Sequence, residues 1–175
     1  MKKHIEYLRS LNACKKVVTY ADQFDSLQAA WDVCERGDWM LWLLGKQAGE
    51  ISSDSRKHLV WIACQCARLT LKYVPEGEAR PLRAIETAEA YTRSEMTLDQ
   101  VKKAAAAAAY AAAAYTASAY TAAYAAYTAA AYTAAYTAAA AADDARYYTL
   151  KLCADIIRAN YAQVEIQCDT PEELA

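Results

Sequence analysis

Apolar residues recur through most of the chain at the three- and four-residue spacing of an α-helix. In the clearest run, the apolar positions that would share one helix face are Leu59, Ile62, Ala63, Cys66 and Leu69. No Asn-Gly or Asp-Gly pair separates alternating apolar runs, so the chain lacks the usual hairpin signal. The pattern predicts an all-α fold, with one domain over residues 1–175 that forms a helical bundle of about six to eight helices.

Polar capping residues and helix breakers predict where these helices begin and end. The predicted helices cover residues 4–11, 12–21, 27–35, 39–44, 55–73, 81–93 and 147–161. Caps are expected at four helix starts, namely Asp25-Ser26, Asp38, Ser53-Asp54 and a capping box of Thr97 with Gln100. We expect Gly37 to end one helix and Gly45 with Gly49 to end the next. The tail 168–175 is expected to be flexible.

One segment, residues 104–142, has an unusual composition of 26 Ala, 7 Tyr, 5 Thr and 1 Ser, with no charged side chain. Alanine has the highest helix propensity, so this segment is expected to be a long helix or a helix pair. A single helix over residues 97–142 would be about 69 Å long, whereas a compact chain of this length is only about 40 Å across. We favour a break between Ala117 and Thr128, where Ser and Thr can satisfy freed backbone groups.

The tyrosines of this segment are the first candidate binding residues. Their irregular spacing spreads them over about 240° of a helix surface, which is too wide for one coiled-coil seam. They could fill gaps between small alanines and face solvent, or they could line a groove or an interface between copies of the chain. The candidates for that groove are Tyr115, Tyr120, Tyr124, Tyr127, Tyr132 and Tyr136.

Charge and cysteine usage narrow the class of protein. The net charge of −2 and the pI of about 5.7 argue against non-specific nucleic-acid binding, which needs a basic surface. The start of the chain lacks an apolar signal sequence, so we expect a cytoplasmic protein with reduced thiols. Segment 104–142 is a poor membrane span, because Ala, Tyr and Thr are not strongly lipophilic, and no membrane contact is expected. Two histidines and Cys64-Gln65-Cys66 do not match zinc-ligand spacing, so neither a metal nor a cofactor is predicted.

Two further clusters contain charged residues that could form a binding site. In the first cluster, three tryptophans and four charged residues could line a pocket, namely Trp31, Trp39 and Trp42 with Asp32, Glu35, Arg36 and Asp38. Alternatively, the three tryptophans are core anchors and Asp38 is a helix cap. Arg80 and Arg83, near a predicted helix start, could hold a carboxylate or a phosphate. The alternative for these arginines is a structural ion-pair network with Glu86, Asp32 or Asp38. The chain has no phosphate-binding loop or nucleophile elbow motif, so no enzyme is expected.

Three motifs carry a resemblance to a known family. They are Trp31-x-x-Cys34-x-Arg36-x-Asp38-Trp39-x-Leu41-Trp42-Leu43-Leu44, then Ala63-Cys64-x-Cys66-Ala67-Arg68, then Arg80-Pro81-x-x-Ala84-Ile85-Glu86-x-Ala88-Glu89. Over about residues 12–160, the chain resembles the Imm-5-like family of immunity proteins, which occurs in bacteria with polymorphic toxins and in phage and prophage genomes. The Ala-rich, Tyr-punctuated segment after the Arg-Pro motif is similar to the phage-borne members.

The resemblance implies a non-catalytic protein that neutralises a partner by binding it. The partner would be a toxin or, for a phage-encoded member, a host defence protein. One alternative is a sponge that sequesters a nucleotide second messenger, with the tyrosines stacking on bases and Arg80 and Arg83 holding phosphates. Another is a homo-oligomeric assembly protein whose Ala/Tyr helices pack between copies. The weak net charge favours a protein partner over a nucleotide.

Overall fold

The computed structural model describes residues 2–50, 52–74, 76–115 and 143–164. The break predicted between Ala117 and Thr128 and the tail 168–175 lie outside these ranges, as does most of the Ala/Tyr segment. Within the described ranges the secondary structure is helical, with no strand, which confirms the all-α prediction. The eight α-helices are α1 Lys3–Ser10, α2 Lys15–Ala21, α3 Leu27–Asp32, α4 Gly37–Gln47, α5 Asp54–Arg68, α6 Arg80–Thr92, α7 Leu98–Tyr115 and α8 Asp143–Asn160, and a 3-10 turn covers Leu71–Tyr73.

Three of the predicted caps are confirmed. The side chain of Ser26 accepts a hydrogen bond from the Ala29 N–H at 3.0 Å, at the start of α3. Ser53 accepts one from the Arg56 N–H at 3.2 Å, at the start of α5. Ahead of α7, the Gln100 N–H donates to Thr97 Oγ1 at 3.3 Å and the Thr97 N–H donates to Gln100 Oε1 at 2.7 Å, which is a reciprocal capping box.

The predicted start of α4 was wrong. The helix begins at Gly37, which was expected to end α3, and α3 already ends at Asp32. Asp38 is not the cap, because it lies in the first turn of α4 and forms an ion pair with Arg36. Gly37 is required by packing: a Cβ at this position would lie 2.5 Å from Cys153 Cβ and 2.9 Å from the main chain of α8. The start of α4 therefore rests directly on the backbone of α8.

The predicted end of α4 was also too early. The helix continues through Gly45 to Gln47, and its buried residues Met40, Leu43 and Leu44 anchor it in the core. The chain then turns at Gly49, with a φ of 68°. Arg56, a buried residue of α5, donates to the carbonyl oxygen of Gly45 at 2.8 Å and to that of Gly49 at 2.6 Å. One guanidinium thus satisfies carbonyls at the end of α4.

Helix α5 occupies the centre of the described fold. It packs against α4, α6 and α8, while α6 packs on α7 and α4 on α8. Four of the five residues of its predicted apolar face are buried, namely Leu59, Ile62, Ala63 and Cys66. The fifth, Leu69, follows the end of α5 and is partly buried. Residues two apart point to opposite sides of a helix, and accordingly the Cys64 thiol contacts the Ile85 carbonyl on α6 while Cys66 faces Cys153 on α8. The Cys-x-Cys motif therefore supplies small buried side chains on two sides of the central helix.

The segment after α8 returns to the N-terminal helices. The indole nitrogen of Trp31, a buried residue of α3, donates to the Tyr161 carbonyl oxygen at 3.0 Å. Gln28 donates to the Ala162 carbonyl oxygen at 3.0 Å and accepts from the Val164 N–H at 2.9 Å. These contacts join α3 and α8, which lie more than 100 residues apart in sequence, and they position the surface described below.

Candidate functional site

The turn between α3 and α4 brings three of the candidate site residues into direct contact. Arg36 donates through Nε to Asp38 Oδ1 at 2.8 Å and through Nη2 to Asp38 Oδ2 at 2.5 Å. The same guanidinium lies 4.3 Å from the centre of the Trp39 ring, a cation–π distance. Arg36, Asp38 and Trp39 thus form one compact unit, in which the carboxylate and the aromatic ring engage the cation from two sides.

Trp39 also lines an apolar cavity of about 40 Å³ between the N-terminal helices and α4. Tyr20, Trp31 and Cys34 contribute to its wall. The Tyr20 hydroxyl donates to the Ala30 carbonyl oxygen at 3.2 Å, and the ring packs edge-on to Trp39 with 5.5 Å between centroids. Burial and the neighbouring Cys34 raise the pKa of Tyr20 to about 12, and burial raises the pKa of the Cys34 thiol. Both groups are therefore neutral at physiological pH, and neither is an activated nucleophile or base.

Arg80 pairs with Glu78 at the start of α6. It donates through Nε to Glu78 Oε1 at 2.8 Å, and its Nη2 is in ion-pair contact with Glu78 Oε2. The Arg80 N–H also donates to Glu78 Oε1 at 2.9 Å. Glu78 was not among the ion-pair partners considered from the sequence. The side-chain hydrogen bonds from Arg80 lower the pKa of the Glu78 carboxyl to about 2, and Arg83 lies exposed on the next turn.

A second ion pair joins two of the motifs that carry the family resemblance. Arg68 on α5 donates through Nε and Nη2 to the two carboxylate oxygens of Glu89 on α6, at 2.7 Å each. Gln65 adds a longer hydrogen bond of 3.3 Å to the same carboxylate. The arginine and glutamate that end these two motifs therefore pair across the α5–α6 contact, which gives the motifs a structural role.

An exposed apolar surface on α8 was missed by sequence reasoning. Its members, named here the α8 patch, are Tyr147, Tyr148 and Leu152, with exposed fractions of 48%, 64% and 47%. The rings of Tyr147 and Tyr148 are 5.7 Å apart in an edge-on arrangement. Leu152 follows Tyr148 by four residues and so shares its helix face. Tyr148 and Leu152 lie off the helix face that carries the buried residues Leu150, Cys153 and Ile157. Apolar residues on this second face were the one available sequence signal.

Polar contacts hold the α8 patch in place. The Tyr147 hydroxyl donates to the Glu35 carboxylate, and Lys151 Nζ lies 2.5 Å from Glu35 Oε1. Lys151 and Tyr147 lower the pKa of Glu35, while Glu35 raises the pKa of both partners. Arg158 donates to the Cys34 carbonyl oxygen at 2.5 Å. The α3–α4 turn is therefore fixed on α8 at several points, so the patch is preorganised.

The tyrosine candidates of the Ala/Tyr segment lie at or beyond the end of the described part of α7. Tyr115 is the last described residue of α7, and its side chain lies outside what the structure describes. The remaining candidates lie outside the described residues: Tyr120, Tyr124, Tyr127, Tyr132 and Tyr136. The structure therefore brings together Arg36, Asp38 and Trp39, and it leaves the proposed tyrosine groove as a prediction.

Comparison with known proteins found no match among protein-family models, curated proteins or solved structures. In the described part of the chain, no three His, Cys, Asp or Glu side chains are grouped so that they could hold a metal ion. None of the helices described is both long enough and apolar enough to span a membrane.

Proposed function

We propose that this chain is a non-catalytic binding protein that neutralises a protein partner, as its resemblance to the Imm-5-like immunity proteins implies. The α8 patch is the observation that carries the proposal. It presents two exposed tyrosines and an exposed leucine beside a polar rim of Glu35 and Lys151. Aromatic anchors with a polar rim are typical of protein–protein interfaces.

The geometry favours a protein partner over a nucleotide. Nucleotide-sized ligands occupy pockets of roughly 300–1,000 Å³, whereas the cavity beside Trp39 is about 40 Å³ and apolar. Of the two arginines that would hold phosphates, Arg80 makes a bidentate contact with Glu78 of its own chain, and Arg83 is exposed. Arg36 likewise makes a bidentate contact with Asp38. A phosphate would have to displace Asp38 or Glu78 from these arginines.

The chemistry of the described ionisable groups supports binding without catalysis. Burial raises the pKa of the Cys34 thiol, and it raises the pKa of the Cys64 thiol to about 12. A nucleophilic cysteine needs the opposite shift, because the thiolate is the reactive form. The pKa shifts of these two thiols are therefore those expected of a packed core.

The test is to purify the tagged chain gently from its producing cells and to compare native mass spectra of wild type and variants. We expect the wild type to carry one protein partner in a fixed ratio. The double variant Tyr148→Ser with Leu152→Ser is expected to lose at least about ten-fold in partner occupancy, because it removes two anchor side chains. Its circular dichroism is expected to match wild type, since both residues are exposed.

Met96→Ser is the matched control, because Met96 is also an exposed apolar side chain but lies between α6 and α7. The captured partner, expressed alone, should stop growth or block phage, and co-expression of the wild type but not of the double variant should reverse that effect. Retention of the partner by the double variant would show that the α8 patch is not the binding surface. A bound nucleotide in place of a protein would favour the sponge alternative.

A further inference from the structure

Two buried thiols face each other across the contact between α5 and α8. Cys66 is 0% exposed and Cys153 is 3% exposed. The Cys66 sulfur lies 4.0 Å from the Cys153 carbonyl oxygen, so the Cys66 side chain is directed at Cys153. The close approach of Gly37 confines Cys153 on its other side, since a Cβ at position 37 would lie 2.5 Å from Cys153 Cβ. The two side chains thus occupy one small space shared by three helices.

The other described cysteines have different surroundings. Cys64 directs its thiol to the Ile85 carbonyl oxygen on α6, at 3.8 Å. Cys34 directs its thiol to the Arg36 carbonyl oxygen, at 3.8 Å, and Cys14 is exposed. Cys66 and Cys153 are 87 residues apart in sequence, so a bond between them would close a long loop. Such a loop restricts the unfolded chain strongly.

We propose that Cys66 and Cys153 form a redox modification site, which a hydroperoxide converts to a disulfide that links α5 to α8. A disulfide needs the two sulfurs to close to about 2.05 Å, and the Cys66 sulfur already lies 4.0 Å from the main chain of Cys153. This chemistry is independent of the proposed binding function. The disulfide would nevertheless affect the binding surface, because the bond would anchor the helix that carries the α8 patch.

The reaction with hydrogen peroxide balances in two steps. The Cys66 sulfur attacks one peroxide oxygen, the O–O bond breaks, and the departing hydroxide takes the thiol proton to leave as water. The resulting sulfenic acid is then attacked by the Cys153 sulfur, the S–O bond breaks, and the second hydroxide leaves as water with the Cys153 proton. Two thiols are oxidised by two electrons in total, and one peroxide is reduced to two waters.

The reaction is expected to be slow in the folded chain. Contact with Cys153 and burial raise the pKa of the Cys66 thiol, and the thiolate is the reactive form. Peroxide reaches the pair only during brief local openings of α8 against α5. Slow formation of the bond distinguishes this pair from the exposed Cys14 thiol, which is expected to react first.

The experiment treats the reduced, full-length chain with hydrogen peroxide and maps its peptides by mass spectrometry without reduction. We expect a peptide pair joined through Cys66 and Cys153, about 2 Da lighter than the sum of its parts because two hydrogens are lost. The oxidised chain is expected to melt at a higher temperature than the reduced chain, and dithiothreitol should reverse both changes.

Cysteine-to-serine variants identify which residues form the link. Cys66→Ser is expected to lose the linked peptide, while Cys64→Ser, an equally buried neighbour whose thiol faces α6, is expected to keep it. If one of these variants fails to fold, the peptide map of the wild type still tests the proposal. Oxygen adducts on Cys66 or Cys153 without a link would overturn the proposal, as would a pair that stays reduced after the other cysteines have been oxidised.

Discussion

At the scale of single residues, small side chains decide how closely the helices approach. Gly37 allows the start of α4 to touch the backbone of α8, and the thiols of Cys64 and Cys66 fit between α5 and its two neighbours. A packed interior tolerates little change in volume, so these positions constrain the fold more than their chemistry does. Arg36 and Asp38 of the first resemblance motif, and Gly37 between them, have structural roles that are visible in the contacts.

Replacing Gly37 by Ala is expected to destabilise the chain by about 1–3 kcal/mol, which is the usual cost of overpacking. Alanine would add up to about 1 kcal/mol of helix propensity, but its Cβ would meet Cys153 Cβ at 2.5 Å and two main-chain atoms at 2.9 Å. Urea unfolding measures the change, and Gly37→Ser should cost more. Lys46→Ala, at an exposed position of the same helix, serves as the control. A variant at position 37 more stable than wild type would refute the close packing.

At the scale of the elements, local hydrogen bonds set the helix starts. Ser26, Ser53 and Thr97 each accept from an N–H three residues further on, so the signal and the contact lie within four residues. The start of α6 has a different arrangement, in which Glu78 accepts from the Arg80 N–H and pairs with the Arg80 side chain. An acidic group at this end of a helix is also favoured by the helix dipole.

The Glu78 contact predicts a specific dependence of stability on pH. The Glu78 pKa falls from 4.5 to about 2 in the folded chain, and a carboxyl with a lowered folded pKa stabilises the fold above its unfolded pKa and loses that effect as the pH falls. The difference in free energy of unfolding between wild type and Glu78→Gln is therefore expected to be constant above about pH 5 and to disappear between pH 4.5 and about 2. Urea unfolding at a series of pH values measures it.

The control for this experiment is Glu76→Gln, an exposed neighbour outside the Glu78–Arg80 contact. Its free energy of unfolding is expected to equal that of the wild type at every pH of the same series. A difference for Glu78→Gln that is independent of pH down to pH 2 would show that the Arg80 contact does not stabilise the ionised carboxylate.

At the scale of the whole molecule, α5 is the helix around which the described part of the chain is organised. It packs against α4, α6 and α8, and Ile62, Cys64, Cys66 and Ala67 are all fully buried. The α8 patch exists because α8 buries its other face against α4 and α5. Helix α8 thus contributes to the core with Leu150, Cys153, Ala154 and Ile157 and to the surface with Tyr148 and Leu152.

The central position of α5 predicts that its amides from Ile62 to Ala67 exchange with solvent more slowly than those of α1, because they open only with the whole core. Ile157→Ala on α8 removes a fully buried side chain, with an expected cost of about 2–5 kcal/mol. It should accelerate exchange in α5 as well as in α8. Hydrogen exchange with mass spectrometry tests both statements. Ile156→Ala, a half-buried neighbour, should have a smaller effect, and equal effects of the two variants would contradict this packing.

The helices themselves were largely predictable, and their tertiary partners were not. The predicted apolar face of α5 is confirmed for four of its five residues, because it depends on a periodicity that lies within the helix. The role of Asp38 was misassigned because Arg36 competes for its carboxylate. The Glu89 partner of Arg68 and the Glu35 partner of Lys151 lie 21 and 116 residues away. Pairings over such distances depend on helix packing, which no local pattern encodes.

The all-α class and the capped starts of α3, α5 and α7 could be predicted from the sequence, because helix propensity and capping act over three or four residues. The start of α4 at Gly37, the approach of Cys66 to Cys153 and the exposure of Tyr148 and Leu152 on α8 follow from how the helices pack. The physical reason is the range of the interactions. Backbone hydrogen bonds within a helix are local, whereas burial and exposure depend on which distant helices come to share a surface.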